Sequence, residues 1–137
     1  MNPGMTVSYQ GELRNRAEHL KSGNTLITDA PTDNHGKGEA FSPTDLLCTS
    51  LASCMITLMG ITANSKAILL GNVEASIEKV MYSDPRRVGE IHIHLVMENK
   101  GFTDKDKAIL ENAALTCPVA KSLHPDIKQE VTFSYTN

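Results

Sequence analysis

The segment from Leu46 to Ala63 is apolar over most of its length, and any fold for this chain must find a place for it. It opens with a clear helix start: Ser42 can cap free N–H groups, Pro43 suits the first helical position, and Asp45 lies three residues after the cap. These signals predict a helix over residues 42–65. The run is about long enough to span a bilayer, but Thr49, Ser50, Ser53, Thr57, Gly60 and Thr62 dilute it. It therefore reads as a buried helix rather than a membrane span. Being apolar on nearly all sides, it has no wet face and must be enclosed by a sheet and by something else. A chain of 137 residues fits one domain (1–137), so the second cover is expected from another copy, giving a homodimer.

Composition narrows the function. A net charge of −3, the absence of a Lys/Arg run and only 4% aromatic residues supply neither the basic footprint nor the stacking platforms of a nucleic-acid binder. Met1 to Gln10 lacks the charged and apolar regions of a secretory signal, so a cytoplasmic protein without a membrane partner is expected. Three cysteines cannot all pair within one chain, and a reducing compartment would keep structural bridges open. Any cysteine chemistry is then catalytic, or there is none.

The rest of the chain alternates strand and helix patterns. Met5, Val7 and Tyr9 alternate with polar residues, Gly11 permits a turn, Leu13 to Leu20 continues to a break at Ser22-Gly23-Asn24, and Leu26-Ile27 suggests a third strand. Asp29 to Glu39 has loop composition. After Gly71, Val73, Ala75, Ile77 and Met81 alternate, and beyond Ser83-Asp84-Pro85 the pattern returns in Ile91, Ile93, Leu95 and Met97, predicting two antiparallel strands. Thr103 and Asp106 form a capping box for a helix with Leu110, Ala113, Ala114 and Cys117 on one face, interrupted or kinked by Pro118. Ile127, Val131, Phe133 and Tyr135 make a last strand. The order β-β-β-α-β-β-α-β is an α+β class.

Cys54, in the first helix, shares a face with Leu47, Leu51, Leu58 and Ile61, and both it and Cys117 are predicted to point into the core. Cys48 is rotated by about 120° from Cys54. From spacing alone, buried free cysteines read as small hydrophobes. The residues around them say more. Phe41-Ser42-Pro43-Thr44-Asp45-Leu46-Leu47, with Cys54 eleven residues after Pro43, resembles the signature helix of the OsmC/Ohr family of thiol peroxidases. Thr116-Cys117-Pro118-Val119-Ala120 resembles that family's second-cysteine helix, and Gly11-Glu12-Leu13-Arg14 its N-terminal arginine segment. The resemblance runs from about residue 5 to the end, with the elements in the same order.

The resemblance implies an OsmC-like fold in an intertwined homodimer, with a long buried central helix and active sites at the subunit interface. It implies a cysteine-based peroxidase that reduces hydroperoxides with a thiol or dithiol donor and no cofactor. Cys54 takes the role of the attacking cysteine, which becomes a sulfenic acid, and Cys117 that of the partner that captures it as a disulfide. Because an apolar pocket disfavours a thiolate, a cation must compensate, and an arginine fork suits this task. Arg14 is the first candidate; strand alternation puts Arg16 on the same face, which leaves either possible.

The family's organic hydroperoxide members carry a glutamate directly after the proline, where it orients the arginine; here Thr44 stands there, with Asp45 one step on. Asp45 either orients Arg14 or serves only the helix cap. His92 and His94 share a strand face, but without a CxxC or HExxH spacing they read as a polar surface, and no metal site is expected. The alternative to an enzyme is a dimeric small-ligand-binding or redox-sensing protein of the same fold.

Overall fold

Two units make up the computed structural model, Met1–Leu47 and Cys48–Asn137, and every residue from Met1 to Asn137 is described. Each unit holds one three-stranded sheet, and the fold is α+β as the sequence predicts.

In the first unit, β1 (Met5–Gly11), β2 (Arg14–His19) and β3 (Thr25–Asp29) form an antiparallel meander with β2 in the middle. The β1–β2 connection is tight: Gly11 pairs with Arg14, and both intervening residues, Glu12 and Leu13, have positive φ, 53° and 64°. Left-handed backbone at both central residues matches the twist of a hairpin, but neither residue is a glycine or asparagine, so the turn is strained. Surrounding contacts hold it. Lys37 Nζ donates to Glu12 Oε2 at 2.6 Å, Leu13 N to the Tyr9 hydroxyl at 3.2 Å, and Ala30 N to Leu13 O at 3.1 Å. Alternation along β1 leaves Met5, Val7 and Tyr9 on one face, 71%, 68% and 64% exposed.

The loop after β3 contains a 3₁₀ turn at Thr32–Asn34 and closes back on the strand, with Gly38 N donating to Ala30 O and Asp29 N to Phe41 O. Gly36 packs so closely on the Ala30 carbonyl that a Cβ would collide with it, so this position admits only glycine. The long helix α1 (Pro43–Ser65) then starts in the predicted capping box: Asp45 N donates to Ser42 Oγ at 3.0 Å and Ser42 N to Asp45 Oδ2 at 2.9 Å.

In the second unit, β4 (Val73–Tyr82), β5 (Arg87–Glu98) and β6 (Lys128–Thr136) form a sheet with β5 in the centre. The β4–β5 pair is antiparallel, as predicted, and β6 runs parallel to β5. A parallel neighbour needs a long crossover, supplied by α2 (Asp104–Leu115) and a single turn, α3 (Pro118–Ser122). Thr103 and Asp106 cap α2 reciprocally. Ile91, Ile93, Leu95 and Met97 of β5 form the floor of the core together with Cys48, Leu51, Met55, Met59 and Ala63 of α1, and Leu110 and Ala114 of α2. The opposite sheet face carries Glu78, His92, His94, Glu130 and Thr132.

The orientation of α1 corrects one expectation. Its core stripe is Leu51, Met55 and Met59, flanked by Cys48, Ala52 and Ala63, whereas on the expected Leu47-Leu51-Cys54-Leu58-Ile61 face only Leu51 is fully buried and Ile61 is 57% exposed. With apolar residues nearly all round, hydropathy alone does not choose the buried side; the fit of the i, i+4 stripe on β5 does. The helix is long and apolar enough to cross a membrane, with a mean hydropathy of 1.8, but its stripe is a wall of this core.

Leu51→Ala should therefore lower unfolding free energy in urea by about 2–5 kcal/mol, while Thr57→Ala on the exposed side should change it by less than about 1 kcal/mol. Equal effects would contradict this placement of the helix.

Candidate active site

Pro118 determines where Cys117 sits. Proline cannot continue a helix and holds the preceding residue extended, so α2 ends at Leu115 and Cys117 stands at φ −69°, ψ 155° as the residue before α3. Leu110, Ala114 and Cys117 still point the same way, and Cys117 is fully buried. Cys54, on the flank of the α1 stripe, is half-buried. Its side chain packs against the core cluster that contains Cys117, and all three cysteines are free thiols.

The two sulfurs are unequal. Burial pushes the Cys117 thiol up, the hydrogen bond and charge of Cys54 push it the same way, and the amides of Ala120 and Val119 pull against them. Burial thus favours the protonated form of Cys117. Cys48, the residue expected to be rotated away, is 1% exposed and belongs to the core stripe.

Arg14 lies in the first unit, where Asp29 grips it side-on: Nε donates to Oδ1 at 2.7 Å and Nη2 to Oδ2 at 2.8 Å. Nη2 also reaches Glu39 Oε1 at 3.1 Å, and Glu39 N donates to Asp29 Oδ2 at 3.1 Å. Nη1 has no protein partner. Hydrogen bonding to Asp29 raises the Arg14 pKa and lowers that of Asp29, the latter against a burial that leaves Asp29 only 1% exposed. Asp29 and Glu39 both hold Arg14, and Asp45 takes part in the helix cap. Arg16 makes only a longer contact, 3.4 Å to Glu18.

Nothing in composition singles out Asp29 and Glu39, the two ends of a stretch with loop character. One signal was available: counting pairs outward from the turns at Gly11 and Gly23 places Asp29 opposite Arg14. His92 Nε2 lies 2.7 Å from Glu90, and the His94 ring lies between the Thr132 and Ser134 hydroxyls. These histidines line a shallow groove of about 320 Å³ on the outer sheet face, and no cluster of three or more His, Cys, Asp or Glu side chains is disposed to hold a metal.

The model for OsmC-like proteins matches residues 36–132. The chain belongs to the OsmC-like family. A crystal structure from Psychrobacter arcticus 273-4, provisionally described as an osmotic stress induced and detoxification response protein, is 56% identical, with a TM-score of 0.91 over 97% of this chain and 96% of that one. More distant OsmC-like folds include an organic hydroperoxide resistance protein of Legionella pneumophila, 20% identical with a TM-score of 0.72 over 95% of this chain and 94% of that one. Another, from Vibrio cholerae, has captopril in one of its active sites; it is 15% identical, with a TM-score of 0.67 over 94% of this chain and 90% of that one. No curated protein matches the chain. The matched span holds Cys54, Cys117 and Asp45, and Arg14 lies outside it.

The Asp29 carboxyl, held below the usual aspartate range by Arg14, makes stability depend on pH with a definite sign. Its contribution is complete above the unfolded value of about 4 and is lost as pH falls toward the lower native value. Melting temperatures between about pH 6 and pH 3 should fall less steeply for Asp29→Asn, which starts lower at neutral pH. Parallel acid limbs would show that the Asp29 pair contributes nothing.

Proposed function

We propose that this OsmC-like protein is a thiol-dependent peroxidase in which Cys54 reduces a hydroperoxide and Cys117 resolves the oxidised product. The observation that carries the proposal is the packing of a half-buried Cys54 against the core in which the Cys117 thiol is fully enclosed. Names of two structural relatives, organic hydroperoxide resistance proteins, point the same way.

The chemistry closes in three steps. The Cys54 thiolate attacks the outer oxygen of ROOH, the O–O bond breaks, and proton uptake by the departing alkoxide leaves ROH and a Cys54 sulfenic acid. Cys117 sulfur then displaces hydroxide, which leaves as water with the thiol proton, and a Cys54–Cys117 disulfide forms. Two external thiols, or one dithiol, reduce that bridge and are themselves oxidised to a disulfide. Arg14 is the proposed cation for the thiolate and peroxide oxygen, with two Nη1 donors available. No cofactor is required.

The proposal includes a cytoplasmic homodimer. Met5, Val7 and Tyr9 form an exposed apolar row on β1, and Ile61 adds an exposed side chain on α1; a second copy would cover such surfaces. Sedimentation should give a dimer at micromolar concentration, and a stable monomer would remove this part of the proposal.

The test is turnover with hydrogen peroxide, cumene hydroperoxide and tert-butyl hydroperoxide, each offered glutathione, thioredoxin and lipoyl reductants. Cys54→Ser should lose at least about 100-fold in rate. Cys117→Ser should stop at a sulfenic acid on Cys54, and one equivalent of peroxide should yield the Cys54–Cys117 disulfide in the native sequence. Absence of turnover with every pair, or a bridge to Cys48, would overturn the assignment.

A further inference from the structure

We propose that Asp29 is the positioning residue for Arg14, an inference that rests on the peroxidase reading above. Arg14 and Asp29 are cross-strand partners at the end of the β1–β2–β3 sheet, and the carboxylate takes the guanidinium on its Nε/Nη2 edge through two bonds of 2.7 and 2.8 Å. A two-point grip fixes the plane of the guanidinium, which a point charge cannot do. It leaves Nη1 as the end free to work.

Three further observations set Asp29 apart from a surface partner. Its side chain is 1% exposed, and a buried ion pair is weak support for stability compared with apolar residues of the same volume. Its Oδ2 also accepts the Glu39 amide at 3.1 Å, and its own amide donates to Phe41 O at 3.0 Å, so one residue ties Arg14 to the chain entering the α1 cap. Finally, the hairpin immediately before Arg14 is left-handed at Glu12 and Leu13 and is held from outside by Lys37, Tyr9 and Ala30. Strain maintained by several independent contacts is common where a side chain must be presented in one orientation. Glu39, on the exposed loop, shares only Nη2 and is the lesser partner.

Position and charge make opposite demands on one measurement. If Asp29 acts on Arg14 only as a neighbouring anion, removing its charge leaves Arg14 a stronger cation, and Cys54 should react with iodoacetamide at lower pH. If Asp29 holds Arg14 in place, the released arginine is lost to the thiolate, and the alkylation profile should move to higher pH, as in Arg14→Ala.

The experiment measures Cys54 alkylation against pH by peptide mass, together with cumene hydroperoxide turnover, for the full chain and for Asp29→Asn, Asp29→Glu, Glu39→Gln, Arg14→Ala and the Arg14→Ala/Asp29→Asn double variant. Expected are a tenfold or greater loss in kcat/KM and an upward alkylation shift for Asp29→Asn, a smaller loss for Glu39→Gln, and a double variant no worse than Arg14→Ala alone. Should Asp29→Asn not fold, Asp29→Glu carries the test, because it keeps the negative charge and displaces the carboxylate that makes the side-on grip: a tenfold loss supports positioning, and near-native turnover overturns it. A downward alkylation shift or near-native turnover in folded Asp29→Asn, with Arg14→Ala still inactive, overturns the role of Asp29 and leaves the peroxidase intact. Native turnover in Arg14→Ala, or none in the unaltered chain, removes the reading on which the inference rests and the inference with it.

Discussion

Leu51, Met55 and Met59 share a core with Ile91, Ile93, Leu95 and Met97 of the central strand, and that packing determines which side chains of α1 are enclosed. A helix with apolar residues nearly all round has no hydropathic reason to prefer one rotation. The i, i+4 stripe supplies one, because three long side chains buried together would each lose about 2 kcal/mol or more if turned to water. Once the stripe is seated, Met55 is buried and its neighbour Cys54, about 100° further round, falls on the flank. The same rotation takes Cys48 into the core. The rotation set by leucine and methionine side chains thus leaves Cys54 half-buried and Cys48 enclosed.

Pro118 makes the complementary decision at the other end of the unit. A continued helix would carry Cys117 on α2; instead the chain breaks and Cys117 stands between two helices, buried and against Cys54. Burial alone would make both thiols poor nucleophiles. Their burial is unequal, with Cys117 fully enclosed and Cys54 half-buried. The amides of Val119 and Ala120 work against burial at the Cys117 sulfur.

Local signals carried much of the fold. The Ser42-Pro43-Asp45 start, the Thr103–Asp106 box and the period-two apolar runs each reflect physics within a few residues, and each led to the right element. The buried face of α1 was missed because it depends on β5, forty residues away, and the parallel placement of β6 was not read because strand direction is set by the crossover rather than by the strand. Cys54, Cys117, Arg14 and Asp45 stood out through their likeness to a family pattern. Asp29 and Glu39 stood out through nothing in composition, because an aspartate beside a Pro- and Gly-containing stretch has the chemistry of a turn. Only strand register turns that aspartate into the partner of an arginine fifteen residues earlier.

That register bears on Thr44. In the resemblance, the acid that orients the arginine follows the helix proline, so orientation depends on a helix start; here that position has a hydroxyl, and Asp45 is engaged in the cap. Asp29 instead applies its grip from the strand paired with Arg14. A strand partner is set by the hydrogen-bonded ladder on both sides, and residues carried on regular elements are held more closely than residues on loops. Burial strengthens the constraint, since a carboxylate that is 1% exposed has no water to accept in place of the guanidinium. Asp45 takes part in the α1 cap, while the sheet holds Arg14 through Asp29.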